Sequence, residues 1–177
     1  MEALGIYRKV DKAHLKHHAV AGTLNCLGLT DTKKGQYCQS EEYLMESLAL
    51  YRSIYGVHAD HPDIAVVLNN LGYNYNRMGE LDKALEYLKQ GLKMRQALHG
   101  EGSIHNEIAV ILFNLGFNYC GMKNHELAEE NLLQSLQMYR KLYGSKDNDK
   151  DVAKILNNLG ANYTEWGKFE KAITCYN

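Results

Sequence analysis

The sequence predicts an all-α fold: a right-handed superhelical solenoid of antiparallel helix pairs with a period of 44 residues. The 177-residue chain contains one Pro, which is typical of a helical protein because Pro interrupts helices. The phrase LNNLGYNYN (68–76) returns as LFNLGFNYC (112–120) and LNNLGANYT (156–164). The apolar residues of each copy recur with the spacing of one helical face. Together, the composition and the repeated helical phrase indicate a stack of similar helical units.

An altered copy of the phrase, LNCLGLTDT (24–32), lies 44 residues before LNNLGYNYN. A single helix pair cannot bury its apolar face alone, so repeated pairs are expected to stack on each other. We therefore predict one array over residues 1–177. Its divisions in chain order are the end of a preceding unit at 1–16, units at 17–60, 61–104 and 105–148, and a partial unit at 149–177.

The second unit shows the two helices of a pair most clearly. Its first helix is predicted from about Asp63 to Arg77, with Pro62 in the first turn and Gly79 at the end. Its second helix is predicted from near Asp82 to the stop at Gly100. Gly72 lies beside the apolar face of the first helix, where a side chain would block the approach of the neighbouring helix.

The pattern Leu-Gly-x-x-Tyr on the first helix, followed by Ala84 on the second, resembles the tetratricopeptide repeat (TPR) family. That family has a typical period of ~34 residues, and 44 would also suit HEAT or armadillo repeats. Residues 61–92 resemble the long-repeat units of kinesin light chain and nephrocystin-3-like proteins. The chain departs from the pattern at Asp31, Ser40 and Lys123, where the other copies carry Tyr, Ala and Gly. The resemblance implies a non-catalytic scaffold.

Composition and motifs exclude several other classes of protein. A net charge of -1 argues against nucleic-acid binding, and no apolar run approaches the ~18 residues of a membrane span. The four Cys form no CxxC pair and are expected to be reduced thiols in a cytoplasmic protein. No nucleotide-binding, hydrolase or zinc-protease phrase occurs, so we expect no enzyme activity and no cofactor.

One face of each first helix is expected to line a concave groove that binds a protein or peptide. Amide side chains both donate and accept hydrogen bonds, so they can bind a peptide backbone. Aromatic rings provide apolar contacts for a ligand side chain, and the cations favour an acidic ligand. The resemblance to kinesin light chains implies a ligand with aromatic and acidic residues. The predicted groove residues are Asn25, Lys33, Val66, Asn69, Asn70, Tyr73, Asn76, Arg77, Val110, Phe113, Asn114, Phe117, Cys120, Lys154, Asn157 and Asn158.

Several of these positions have a structural alternative. Asn70, Asn114 and Asn158 suit either contacts between units or ligand binding, and the two Phe suit either the core or the groove. The amides beside the buried Tyr are expected to be structural; they are Asn74, Asn118 and Asn162. The spaced histidines at 14, 17 and 18 and at 58 and 61 predict no metal site, because no acidic or Cys partner completes one.

A second functional hypothesis belongs to another class. The chain begins near the end of a predicted second helix and stops in the middle of another. Open ends of an array offer apolar faces to further units. The alternative role is therefore self-association, or docking within a larger multidomain protein.

Overall fold

The structure is a computed structural model that describes residues 2–144 and 150–177, with side chains from residue 17 onwards. The described residues form eight α-helices and no strand. Successive helices pack against each other in chain order, and alternate helices such as α1 and α3 also touch. This arrangement confirms the predicted all-α solenoid. The helices are α1 (Glu2–Lys34), α2 (Tyr37–Tyr55), α3 (Pro62–Met78), α4 (Leu81–His99), α5 (Asn106–Gly121), α6 (His125–Tyr143), α7 (Lys150–Glu165) and α8 (Phe169–Tyr176).

The first helix is longer than any other described helix. It runs without a break from Glu2 to Lys34, whereas the 44-residue step places a unit boundary after residue 16. No helix end coincides with that boundary. The division of the chain into units therefore stays a prediction.

Helix ends lie within a residue or so of the predicted ones. Helix α3 has Pro62 in its first turn, and His61 Nδ1 accepts a hydrogen bond from the Asp63 N–H at 3.2 Å. Gly79 ends the helix in the left-handed conformation, with φ 82°. Lys123 stands at the equivalent turn and adopts φ 58°. The turn thus keeps its conformation without Gly, although a residue with a Cβ is strained there.

Buried amides tie each first helix to the start of the second helix of the preceding pair. Asn74, Asn118 and Asn162 are almost fully buried. Each donates from Nδ2 to the backbone oxygen 37 residues earlier, at 3.0, 2.9 and 3.1 Å. A buried amide N–H without an acceptor is costly, so these bonds hold the units in register. Their structural role agrees with the sequence prediction.

A serine on the second helix makes another repeated link. Ser47 and Ser135 each donate to the backbone oxygen 26 residues earlier, at 2.7 Å. Gly91 occupies the equivalent position in α4 and has no side chain to do so. A Cβ built there would lie 3.5 Å from the oxygen of Ala65, which is ordinary van der Waals contact.

Replacement of Gly91 by Ser is therefore expected to stabilise the protein by about 1–2 kcal/mol. Removing Gly from a helix interior contributes about 0.5–1 kcal/mol, and a new hydrogen bond to Ala65 contributes about 0.5–1.5 kcal/mol. Urea unfolding followed by circular dichroism measures the change. Gly91→Ala isolates the removal of Gly. Because Ser has a lower helix propensity than Ala, a Ser variant about 0.5 kcal/mol less stable than the Ala variant would show that the bond does not form.

A partly exposed ion pair makes the contact between α6 and the last pair of helices sensitive to acid. Glu129 accepts hydrogen bonds from Lys171 Nζ at 2.8 Å and from the Tyr163 hydroxyl at 2.6 Å. Burial opposes ionisation of Glu129, but these two hydrogen bonds and the charges of Lys171 and Lys168 outweigh it, so the pKa lies below 4.5. A carboxylate with a lowered folded-state pKa stabilises the fold above its unfolded pKa and loses that contribution as pH falls through the folded value.

We therefore expect the stability difference between wild type and Glu129→Gln to be largest near neutral pH. It should shrink progressively below pH 4.5, the ordinary pKa of the group. Urea midpoints measured across this range test the prediction. Glu46→Gln, a change at an exposed position of α2, is the control for general acid effects. A Glu129 difference that stays constant with pH would contradict it.

Candidate functional site

The alternate helices α1, α3, α5 and α7 together line a cavity of about 460 Å³ on one side of the array. One residue of the second helix α6 also reaches it. Because four alternate helices contribute, the cavity exists only when the helix pairs are stacked. It is called the groove cavity below. Its lining residues are Leu29, Lys33, Asn69, Asn70, Tyr73, Arg77, Val110, Phe113, Asn114, Phe117, Tyr139, Asp151, Lys154, Ile155 and Asn158.

Most of the predicted groove residues meet in this cavity. Of the five that do not, Val66 lines a smaller cavity nearby, and Asn76 and Cys120 line a third of about 290 Å³. Asn25 and Asn157 line none of these three cavities. The predicted residues in the groove cavity are Lys33, Asn69, Asn70, Tyr73, Arg77, Val110, Phe113, Asn114, Phe117, Lys154 and Asn158.

Four lining residues were not among the predicted ones. Leu29 stands 44 residues before Tyr73, so the repeat itself could have identified it. Ile155 and Asp151 lie on α7, one helical turn apart. Tyr139 was missed because the prediction considered first helices alone, and this ring comes from α6.

Amide pairs run along the floor of the groove. Asn70 Nδ2 donates to Asn25 Oδ1 at 2.8 Å, and Asn114 Nδ2 donates to Asn69 Oδ1 at 2.9 Å. Asn70 and Asn114 are buried, with 7% and 6% of their surface exposed. Their Nδ2 groups therefore serve contacts between units. Asn69 keeps its own N–H₂ group, which donates to no described residue.

The series of amide pairs ends at Phe113. This residue occupies the position that Asn25 and Asn69 hold in earlier units, and it offers no acceptor. Asn158 turns instead to its own helix and donates to the backbone oxygen of Lys154 at 2.8 Å. Asn158 is more exposed than the buried Asn70 and lines the groove cavity, so it can reach a ligand.

Asn76 belongs to the packing between helices, contrary to the role expected from its spacing, whereas Cys120 is half-buried and lines the third cavity. Asn76 is buried; its amide donates to the Asn114 backbone oxygen at 3.1 Å and accepts from Asn118. Burial raises the pKa of Cys120 to about 11, so this thiol is not a reactive thiolate at neutral pH. Thr32, 44 residues before Asn76, is buried as well.

The groove combines positive charge with aromatic surface. Lys33 and Arg77 are exposed and form no ion pair with any described carboxylate, while Lys154 contacts Asp151 at 2.7 Å. Three cations thus face one carboxylate in a chain whose net charge is -1. Three of the four aromatic lining residues are half-buried and leave part of each ring open, namely Tyr73, Phe113 and Phe117; the fourth, Tyr139, is buried.

The histidines at the α1–α3 contact meet an acidic partner that the sequence did not predict. His18 Nε2 lies 3.0 Å from Asp63 Oδ2, and His61 Nδ1 lies 3.6 Å from the same oxygen. The Tyr55 hydroxyl also donates to it, at 3.0 Å. No group of three or more potential metal ligands occurs among the side chains that the structure describes. The side chain of His14 lies outside the described residues.

Stacked helix pairs with a groove along their first helices define a helical-repeat scaffold. A family model for the tetratricopeptide repeat matches residues 19–97 and 107–177, and the chain belongs to this family. The TPR fold is a scaffold for protein–protein interaction. No helix in the described part of the chain has the length and apolar character of a membrane span.

Solved structures of the same fold share little sequence with the chain. BtubC from P. vanneervenii is 21% identical with a TM-score of 0.74, covering 98% of this chain and 72% of its own. A Podosopora anserina protein with nearly identical TPR-like repeats, assigned to the kinesin light chains, is 19% identical with a TM-score of 0.75, covering 90% and 72%. A Rap protein complexed with competence and sporulation factor is 18% identical with a TM-score of 0.75, covering 90% and 41%. No curated protein matches the chain significantly.

Proposed function

We propose that this TPR array is a non-catalytic scaffold that binds an extended, acidic, aromatic-containing peptide segment of a protein partner in the groove cavity. The observation that supports this function is the joint lining of one cavity by half-buried aromatic rings and unpaired cations from α1, α3 and α5. An aromatic side chain of the ligand fits between the rings of Tyr73, Phe113 and Phe117. Its carboxylates lie within the positive field of Lys33 and Arg77.

The open amides of the groove suit a peptide backbone. Asn69 has an N–H₂ group that donates to no described residue, and the side-chain oxygen of Asn158 accepts from none. An amide contacts backbone groups without regard to side-chain sequence. The rings and cations therefore provide the preference for sequence, while the amides hold the chain. The kinesin light chain-like subtype and a cytoplasmic location stay predictions.

The test is fluorescence polarisation with a peptide library that varies aromatic and acidic residues. Phe113→Ala is expected to weaken the best peptide about tenfold or more, as for an anchor in a half-buried pocket. Arg77→Gln is expected to weaken it about threefold and to reduce the dependence of binding on salt concentration.

The matched controls change the same residue types outside the groove. Phe169→Ala removes a Phe of α8 that is 63% exposed, and Lys89→Gln removes a cation on the exposed face of α4. Both should leave peptide binding unchanged. Equal losses in the controls and the groove variants, or no saturable binding of any library member, would refute the groove function.

A second candidate function is self-association through α8. Three apolar side chains on this helix are more than half exposed: Phe169, Ile173 and Tyr176. A second copy that covers this face would produce a dimer whose mass, measured by light scattering, rises with concentration. Ile173→Asp should abolish that rise. A constant monomer mass would leave the peptide groove as the only candidate.

A further inference from the structure

One position near the end of each first helix changes its charge along the array. It is occupied in chain order by Lys33, Arg77, Gly121 and Glu165, which are spaced by 44 residues and are all exposed. Lys33 and Arg77 line the groove cavity, whereas Glu165 lines the third cavity. This side of the array therefore runs from two cations on α1 and α3 to a carboxylate on α7.

The third cavity, of about 290 Å³, adjoins the groove cavity and differs from it in charge. The two cavities share Phe117 and Asn158, so one ligand can extend from one to the other. None of the described residues that line the third cavity is a cation, whereas three cations line the groove cavity. The lining residues of the third cavity are Asn76, Leu81, Phe117, Cys120, Gly121, Asn158, Ala161, Asn162 and Glu165.

Two small residues make room in the third cavity. Helix α7 carries Ala161 at the position where α3 and α5 carry Tyr73 and Phe117, so no ring from α7 fills the space beside Phe117. Gly121 lacks the long cationic side chain that the repeat places there in α1 and α3. A Cβ at Gly121 would lie 3.1 Å from Leu81 Cδ2. The walls of the cavity are therefore largely apolar.

The open polar atoms of the third cavity are acceptors. Glu165 is exposed and has no ion-pair partner among the described residues, and the side-chain oxygen of Asn158 accepts from none. Burial, and after it the charge of Glu165, raises the pKa of Cys120, so this carboxylate lies close to the cavity wall. Asn76 and Asn162 are buried and donate to neighbouring helices.

Apolar walls with a carboxylate at the exposed rim suit a basic side chain. Lys and Arg bury their aliphatic stems against apolar surface while the charged end stays in water. An acidic side chain would be repelled by Glu165. A purely apolar group that covered the carboxylate would remove it from water without a compensating partner, which is costly. The cavity therefore favours an aliphatic chain that ends in a cation.

The cation Lys154 on the same helix does not cancel this preference. Lys154 and Glu165 stand near opposite ends of α7, about 16 Å apart along a helix. Asp151 contacts the Lys154 ammonium at 2.7 Å and offsets its charge. The end of α7 that borders the third cavity is therefore negative.

We propose that the third cavity binds a basic side chain of the groove ligand, with the stem packed on Phe117 and Ala161 and the cation paired with Glu165. The ligand then carries opposite charges at its two ends. Its carboxylates lie near Lys33 and Arg77, and its basic residue lies towards α7, so charge fixes its direction across the first helices. The assignment of this side chain to a peptide rests on the proposed function. The preference of the cavity for a cation does not, because a small alkylammonium ion can occupy it alone.

The first experiment titrates the whole chain with n-pentylammonium chloride and follows backbone amide signals by nuclear magnetic resonance. The signals of Gly121, Ala161 and Glu165 should shift saturably. Sodium pentanoate, which has an aliphatic chain of similar length and the opposite charge, should not shift them, and neither should sodium chloride at equal ionic strength. No response to the ammonium ion, or an equal response to pentanoate, overturns the proposal.

Two variants locate the bound ammonium ion. Glu165→Gln should weaken it about threefold, the effect of one solvent-exposed ion pair. Ala161→Phe introduces a ring at the position where α5 already carries Phe117 and should abolish binding by filling the cavity. Retained helicity and cooperative unfolding verify that this variant folds. Unchanged ammonium binding in both variants overturns the proposal.

The second experiment uses the acidic, aromatic peptide that binds the groove best. A Lys or a Gln is joined through a short Gly spacer to one end of the peptide or to the other. At one end, Lys should improve the affinity about threefold over Gln. Glu165→Lys should reverse this preference in favour of an added Glu, whereas Glu46→Lys, at an exposed position of α2, should leave it unchanged.

The two experiments separate this inference from the proposed function. Peptides with Lys and Gln that bind equally well at both ends overturn the basic subsite while leaving the groove function in place. Saturable pentylammonium binding without binding of any peptide overturns only the proposed function.

Discussion

Replacement of Gly72 by Ala is expected to destabilise the array by about 3 kcal/mol, the upper end of the range for overpacking a core. A Cβ at this position would lie 2.5 Å from Leu88 Cγ and 2.7 Å from Leu88 Cδ2. It would also lie 3.2 Å from the backbone oxygen of Ala84. Leu88 is fully buried, so its side chain has no empty space to enter. The better helix propensity of Ala, worth up to about 1 kcal/mol, is too small to compensate.

Urea unfolding measures this loss, and two other glycines provide the comparison. Gly116→Ala should be equally damaging, because its Cβ would lie 2.6 Å from Leu132 Cγ. Gly91→Ala is the matched control, since its nearest neighbour would be at 3.5 Å. If Gly72→Ala stayed within about 0.5 kcal/mol of wild type, the size of an ordinary surface change, the close packing of α3 on α4 would be refuted.

A double-mutant cycle identifies the clash itself. Leu88→Ala alone should cost about 2–5 kcal/mol, because it leaves a cavity in the core. In that background Gly72→Ala should cost clearly less than in the wild type, since Cγ and Cδ2 of residue 88 are absent. Costs that simply add would mean that the two residues do not interact.

The fold could be predicted from the sequence because the contacts that build it are themselves periodic. Gly72 packs against Leu88 as Gly116 packs against Leu132, so the same contact occurs in more than one unit of the chain. Repetition of the phrase therefore indicated both the helix pairs and the close approach between them. The sequence did not indicate that α1 would continue through residue 16, because helix continuity there depends on the absence of a turn and not on the repeat.

The floor of the groove was harder to predict because identical residues have different partners. Asn70 and Asn158 occupy the same position, yet the first bonds Asn25 and the second bonds its own helix. The difference arises 45 residues earlier, where Phe113 replaces the accepting amide. The donor and acceptor of each amide pair lie 45 residues apart. Only a comparison of residues at that separation shows which amides bond each other between units.

The burial of Arg95 was missed for a related reason. Arg95 looks in the sequence like one more cation of a solvated second helix, and its helical environment gives no sign of burial. Its position 44 residues from Tyr51 and Tyr139 was the available signal. A charge at a position where other units bury a ring predicts an unusual polar site.

Asn74→Ala is expected to destabilise the protein by about 3 kcal/mol, because the Asn74 side chain joins three helices and is fully buried. Its Nδ2 donates to the backbone oxygen of Tyr37 at 3.0 Å, and its Oδ1 accepts from the Thr32 hydroxyl at 3.0 Å. Truncation removes two hydrogen bonds, each contributing about 0.5–1.5 kcal/mol, and leaves a cavity where the buried amide was, which adds to the loss.

The matched control is Asn158→Ala, which removes the same type of side chain from a different position of the repeated phrase. Its one side-chain hydrogen bond stays within α7 and is solvent-exposed, so the loss should be below about 0.5 kcal/mol. Urea unfolding of both variants measures the difference in stability. The peptide assay then measures the effect of each variant on groove binding. Asn158→Ala should weaken groove binding while preserving stability. Equal losses of stability in the two variants would mean that the amides of the phrase act alike, and the division between packing amides and groove amides would be wrong.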